Sequence, residues 1–363
     1  MENWMKKSMS LVLTVVAFTG SVQATSVKVY GRLDAGLMSI SGVGVNDKTL
    51  SGLAYGALSS SRWGIKGQET LGGGYEAFFA LESEAHNDTG ASGGNNKTGS
   101  GVGSVYWKRK SIVGLKTPIG KVSLGLNKTI DKILGGNFDL VNSNFAGFKT
   151  LGDYLATTDR IDNAVFFETP NLDFFRSKIY IDRQFGEVGG EVSGNARTGI
   201  AATFKIATVE GFIAYSEANG SKGSNDWNQY GLGLKYRNDN NIVFKGQYWN
   251  LSAKSNTDST SGLGYSSDGE GYSISAMAPV GIQTKIGVGF HSTEQSDNTA
   301  EKIEITQLVM LHSFSKKVTG YVMASKLNNG LSANHELHKK GFDSQPENGI
   351  DQDGYTVGLR MKF

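Results

Sequence analysis

The end of the chain constrains the fold more than any other segment. Tyr355, Val357, Leu359, Met361 and Phe363 occupy alternate positions, with Thr356, Gly358, Arg360 and Lys362 between them. An extended strand sends successive side chains to opposite faces, so this segment is a strand with one apolar and one polar face. The same period recurs upstream. Val27, Val29, Leu33, Ala35 and Leu37 alternate with Lys28, Tyr30, Arg32 and Asp34. Tyr75, Ala77, Phe79 and Leu81 oppose Glu76 and Glu82, and Val122, Leu124 and Leu126 oppose Lys121, Ser123 and Asn127. Tyr230, Leu232, Leu234 and Tyr236 oppose Gln229, Lys235 and Arg237; Ile282, Ile286, Val288 and Phe290 oppose Gln283, Lys285 and His291. Two segments break the pattern: 319–327, interrupted by Tyr321 and Met323, and 211–215, apolar on both faces. Parity assigns neither of them an inside or an outside.

The connections carry further information. Short ones fall at Thr117-Pro118-Ile119-Gly120, 237–241, Pro279-Val280-Gly281 and 315–318. Long polar ones fall at 42–58, 86–103, 129–159, 251–269 and 328–353. Long and short alternate, giving roughly 16 strands joined by about eight long and seven short links, the asymmetry of outer-membrane barrels. A soluble sandwich has no reason to put all its long loops at one end. The Gly/Ser/Asn-rich stretch 87–104 has a linker's composition, but strands resume in phase on both sides, so it reads as an exposed loop.

The amino terminus decides the compartment. Lys6 and Lys7 precede an apolar run from Met9 to Phe18, followed by Gly20 and Val22-Gln23-Ala24. That order predicts a secretory signal peptide over residues 1–24, cleaved after Ala24, with one barrel domain over 25–363. The run is shorter than the roughly 20 residues of a spanning helix. Loss of Glu2, Lys6 and Lys7 takes the formal charge from +2 to +1, too little basic surplus for a nucleic-acid binder. The chain has no cysteine, which excludes disulfides, thiolate metal sites and cysteine nucleophiles. Gly is abundant at 49 and Pro scarce at 4, yet 14 Tyr and 18 Phe argue for ordered structure. A mean hydropathy of −0.28 suits alternating strands with polar loops.

These features converge on an all-β transmembrane antiparallel barrel with short periplasmic turns and long external loops. In lipid every backbone N–H and C=O needs an internal partner, which a closed barrel provides without an edge. The row ending in Phe363 then faces lipid. At about 16 strands the polar row lines an aqueous lumen. By parity Arg32, Arg62, Lys66, Lys110 and Lys121 face that lumen, as do Asp34, Glu76 and Glu82. The third long connection carries Asp131, Lys132, Asp139, Lys149 and Asp153 with Phe138, Phe145 and Phe148, a composition suited to folding inward and narrowing the pore. Acids on one side and bases on the other would set a transverse field selecting by size and charge.

Enzymatic patterns are weak. Gly90-Ala91-Ser92-Gly93-Gly94 fits G-x-S-x-G but lies in a polar loop rather than a strand-to-helix elbow. His335-Glu336-Leu337-His338 has the wrong histidine spacing for a zincin. His291 and His312 have no readable partner, and Asp351 and Asp353 read as solvated loop acids. No cofactor and no catalytic step are expected. Three classes remain: a passive channel for ions and small hydrophilic solutes, which the pattern favours; a substrate-selective channel for sugars or phosphate on the same barrel; and a barrel enzyme or adhesin.

The residues also resemble a known family, the general diffusion porins of Gram-negative bacteria. Val29-Tyr30-Gly31-Arg32-Leu33-Asp34-Ala35-Gly36 is similar to their first strand. Ser61-Arg62-Trp63-Gly64-Ile65-Lys66-Gly67, then 71–74 and Phe79-Ala80-Leu81-Glu82-Ser83, are similar to their second and third. Val113-Gly114-Leu115, Arg160-Ile161-Asp162-Asn163 with Pro170-Asn171, and Gly358-Leu359-Arg360 with Phe363 continue the likeness along nearly the whole mature chain. The resemblance implies a homotrimer with one pore per subunit, the third loop folded into the barrel, and lumen positions for Arg32, Arg62, Lys66 and Arg160. It also implies outer-membrane lipid and lipopolysaccharide around the barrel, and a last strand read by the barrel-assembly machinery through Phe363. The chain departs from the family at Gly125-Leu126-Asn127, where Gly-Arg is common, at Phe166, where a base is common, and in its dispersed third-loop acids.

Overall fold

A computed structural model describes residues 26–92, 94–95, 104–147, 159–186, 196–219, 226–253, 268–295, 298–338, 340 and 343–363. The expected signal peptide, Phe148, Lys149 and Asp153 lie outside the described residues. The first half of the chain contains β1 (Ser26–Val43), β2 (Lys48–Tyr55), β3 (Arg62–Gly72), β4 (Tyr75–Glu84), the small pair β5 (Gly94–Asn95) and β6 (Ser104–Val105), β7 (Lys110–Thr117), β8 (Gly120–Lys128), helix α1 (Ile130–Phe138), β9 (Arg160–Glu168) and β10 (Lys178–Gln184). The second half is β11 (Ala196–Ile206), β12 (Val209–Asn219), β13 (Trp227–Arg237), β14 (Val243–Ala253), β15 (Gly269–Val280), β16 (Thr284–Gln295), β17 (Asn298–Ser313), β18 (Val318–Asn329) and β19 (Gln352–Lys362).

All but β5 and β6 join one antiparallel sheet, and β19 pairs with β1, so the sheet closes on itself. Two strands share one place. The start of β1 pairs with β3, from Ser26–Gln68 to Arg32–Arg62, and its later part pairs with β2. Seventeen strands therefore fill sixteen places around the barrel. Most run 11 or 12 residues, enough to cross a bilayer when tilted. Among the described residues no helix is long and apolar enough to do so.

The segment 42–58, expected as a long loop, is largely strand. β1 continues to Val43 and returns as β2, with Ser39 and Ser51 hydroxyls 2.8 Å apart across the hairpin. Polar strand residues and polar loop residues look alike in composition, which hid this hairpin. What leaves the sheet is the stretch 56–61, which folds into the barrel. Gly56 starts it with φ +70°, a left-handed conformation that favours glycine, while its N–H donates to Asp34 O at 2.7 Å.

The alternation read from the sequence is the alternation of the wall. Val29, Leu37, Ile213, Leu232, Ile274, Val357 and Leu359 point outward and are exposed for lipid. Phe363 closes the seam: its N–H donates to Gly31 O at 3.1 Å, and Gly31 N–H returns to Phe363 O at 3.2 Å. A Cβ on Gly31 would stand 2.5 Å from the Phe363 ring, so only glycine lets the terminal ring lie across β1.

Part of the inner surface is apolar, which parity did not foresee. Phe212, Trp249, Leu251, Ile303, Ile305, Met323 and Leu327 are buried inside the barrel with Met38 and Ile40. They pack on Ile130, Leu134 and Phe138 of α1, on Leu140 and Phe145 beyond it, and on Ala333 and Leu337 of the last long loop. This core explains both breaks in the pattern. Phe212 faces inward because it supports α1, and Tyr321 and Met323 belong to the same cluster. Each large side chain so buried contributes about 1.5–3 kcal/mol.

The constriction and its charged wall

The third loop enters the lumen as α1 and is fastened at both ends. At the start, Thr129 caps the helix by accepting from Lys132 N–H at 3.3 Å. Ile130 N–H donates to Asp182 Oδ2 at 2.8 Å, and Asp131 accepts from Arg197 at 2.5 Å and from Ser216 at 2.7 Å. Arg197 also binds Asp182. At the far end Lys245 Nζ donates to Asp139 O at 2.5 Å and to Leu140 O at 3.3 Å, while Gln247 donates to Gly135 O at 3.1 Å. An acid at the helix start and a cation at its end both oppose the helix dipole favourably. Phe138 meets Phe212 edge-on at 4.7 Å. Gly231 and Gly233 make room for the wall rings: a Cβ at either would stand 2.3 Å from Trp249 or Phe212.

Beyond α1 the chain crosses to the other side of the barrel. Asn144 and Phe145 N–H groups both donate to Ala57 O, at 3.0 and 3.1 Å, and Ala146 N–H donates to Leu337 O at 3.0 Å. The loop, the 56–61 stretch and the last long loop therefore form one hydrogen-bonded assembly inside the barrel.

The remaining inner wall, on β1, β3, β4, β7, β8 and β9, is basic. Arg32 and Arg62 are direct partners in the β1–β3 register, and Lys128 and Arg160 in the β8–β9 register. Arg109 donates to Glu82 Oε1 at 2.9 Å, and Arg62 reaches the same oxygen at 3.4 Å. Arg160 Nε donates to Arg109 O at 2.8 Å. Lys110 pairs in register with Glu82. Glu84 lies 2.9 Å from Lys108. Asp159 lies 3.5 Å from Arg160. Arg32, Arg62, Arg109, Lys110, Lys128 and Arg160 thus outnumber Glu82, Glu84 and Asp159.

The other residues singled out from the sequence fall elsewhere. Lys66 is exposed in the lumen, 5.1 Å above the Tyr30 ring, and Lys121 lies 4.7 Å above Phe78 beside a short turn. Asp34 points inward but is fully buried, accepting from Ser59 N–H at 2.9 Å and Tyr321 OH at 2.8 Å. Asp131 and Asp139 are each 1 % exposed. They are turned to the β10–β16 side of the wall, so these two acids do not face the basic wall across the lumen. Wall anchors there (Arg197, Lys245) compete for the carboxylates and carbonyls of the loop more closely than the distant bases could. Asp153 lies outside the described residues.

Arg109, Lys128 and Glu84 were missed for identifiable reasons. Arg109 sits in a turn, where parity says nothing. Lys128 follows a register shift between Gly125 and Asn127, which reverses the parity counted from Lys121. Glu84 ends the expected strand, one turn of the alternation past Glu82.

A closed barrel with a lipid-facing apolar row, a polar wall and a loop narrowing its lumen defines an outer-membrane channel. The sequence model described as Gram-negative porin matches residues 10–332, and the chain belongs to that family. Members of the family are channels, and this one resides in the outer membrane. It is 27% identical over 373 aligned residues to outer membrane porin protein 32 of Delftia acidovorans, covering 99% of this chain and 100% of the relative. It is 24% identical over 379 aligned residues to an outer membrane porin protein of Bordetella pertussis, covering 90% and 95%. Among solved structures, an anion-selective porin from Comamonas acidovorans superposes with a TM-score of 0.78 at 22% identity, covering 94% of this chain and 100% of that one. In-vitro folded OmpT of Vibrio cholerae in its trimer form gives 0.68 at 16%, covering 94% and 100%.

Proposed function

We propose that this porin is a passive channel for ions and small hydrophilic solutes that favours anions. One observation carries the reading: six bases line one wall against Glu82, Glu84 and Asp159, while Asp131 of the loop is bound to Arg197 and Asp139 is buried beside Lys245 and His291. The uncompensated charge in the lumen is therefore positive, and a charged ring of one sign selects the counter-ion. The likeness of the fold to the anion-selective porin from Comamonas acidovorans supports the same direction. Reversal potentials in planar bilayers under a KCl gradient test it. An anion-sign potential is expected; a zero or cation-sign potential sinks the reading.

The further assignments follow from the amino-terminal pattern and from the resemblance. Residues 1–24 act as an export signal, which amino-terminal sequencing of the mature protein checks. The barrel assembles as a homotrimer, as OmpT of Vibrio cholerae does in its trimer form. Its outer face contacts lipid and lipopolysaccharide, and Phe363 serves recognition by the barrel-assembly machinery.

A further inference from the structure

We infer that Lys340, carried by the last long loop, is a selectivity residue of this channel, its ammonium adding to the basic wall beside Arg109. The inference rests on the anion-favouring reading above. The described residues of 330–351 are held inside the barrel at several points. Asn329 clasps its base, donating to His335 O at 3.0 Å and Ile350 O at 2.7 Å. Leu337 is fully buried, its N–H donating to Gln352 Oε1 at 2.9 Å and its carbonyl accepting from Ala146 of the third loop. His338 is also fully buried, its Nδ1 lying 3.3 Å from Asn144 O. Two residues on, Lys340 crosses to the wall and binds Glu84 Oε1.

Glu84 does not need Lys340 for neutrality. Lys108 already binds its other oxygen at 2.9 Å, and Arg109 stands 4.0 Å away. Arg109 belongs first to Glu82, yet Lys108 and Lys340 alone are two cations on one carboxylate and leave a positive surplus, to which Lys340 contributes from a segment far from the wall in sequence. The groups facing Lys340 are Glu84 of β4, Lys108 and Arg109 of the turn before β7, and Tyr55 of β2, whose ring lies 5.8 Å away with His86 stacked on it. Burial holds the Lys340 ammonium down to about 8; Glu84 opposes this, while Arg109 and Lys108 reinforce it. The charge therefore declines as the pH rises from 7 to 9. An arginine in its place stays charged throughout.

Reversal potentials of wild type, K340Q, K340R and E84Q at pH 7 and pH 9 test the inference, with heat-modifiable gel mobility confirming that each barrel is folded. K340Q is expected to lower the anion-to-cation permeability ratio at pH 7 roughly twofold, the effect of one unit charge about 8 Å away in water, screened by salt over a similar distance and acting with opposite sign on the two ions. K340R should keep the wild-type ratio at pH 7 and exceed wild type at pH 9. E84Q, which removes the carboxylate and leaves the cations, should raise the ratio. A wild-type ratio in K340Q at pH 7, whatever its conductance, makes Lys340 a strut only and overturns the inference. A wild type without anion preference defeats the parent reading alone; the difference between K340Q and K340R then still decides the role of Lys340.

Discussion

Arg197 of β11 donates to Asp131 of the loop helix at 2.5 Å, both side chains being almost wholly buried. Because Arg197 also binds Asp182, one guanidinium holds two carboxylates, one on the loop and one on the wall. Removing it would leave both carboxylates buried without their cation. R197L is expected to cost about 3–5 kcal/mol, the penalty for breaking a buried pair from one side. The variant should convert to the heat-modified form at lower temperature than wild type and show noisier single-channel currents as α1 loosens. Wild-type values in both assays would mean that the triad is dispensable for holding the loop.

The second prediction concerns the loop itself. Residues 135–146 carry Phe138, Leu140 and Phe145, which pack in the cluster between α1 and the apolar part of the wall. Deleting 135–146 should raise single-channel conductance, since the lumen widens. It should also lower thermal stability, because Phe212, Trp249 and Ile305 lose their cover. An unchanged conductance would place the narrowest point elsewhere.

Much of this architecture was legible in the sequence. Period-two alternation gave the wall and its outward face, because lipid on one side and water on the other impose opposite demands on adjacent residues. It also set Arg32, Arg62 and Lys66 on the face opposite the lipid row, the basis for proposing them as lumen residues. It could not reveal Phe212 or Met323 as supports for an inward loop, since an apolar residue facing α1 looks the same as one facing lipid. Lys128 escaped because a bulge shifts the register after Gly125. Lys340 escaped because its partner Glu84 is distant in sequence and no local pattern links them. The orientation of Asp131 and Asp139 depended on Arg197 and Lys245, wall residues of no special pattern.

Asp34 supports the third prediction. It accepts from the N–H of Ser59 and from Tyr321 OH, tying the 56–61 stretch to β1 and β18. Hydrogen bonds to a charged group contribute about 1.5–3 kcal/mol each. Y321F should therefore cost about that much, and D34A more, since it also frees Ser59. Proteolysis within 56–61 of the folded porin should rise in the same order. Equal resistance in D34A and wild type would show that the Asp34 carboxylate is dispensable and that the backbone bonds to Asp34, with Asn144 and Phe145, hold this stretch.

The fourth prediction separates two bases on the same face of one strand. Arg62 and Lys66 both point inward from β3, four residues apart, which is about 13 Å along a strand. Arg62 stands opposite Arg32 and shares Glu82 with Arg109, inside the basic cluster. Lys66 is exposed over the Tyr30 ring, nearer the short-turn mouth, where water and salt screen it over roughly 8 Å. R62Q should therefore shift the reversal potential clearly toward cations, while K66Q should shift it much less. The double variant R62Q/K66Q should differ little from R62Q alone. Comparable shifts in the two single variants would mean that selection is distributed along the lumen, and that the cluster around Arg109 holds no special place in it.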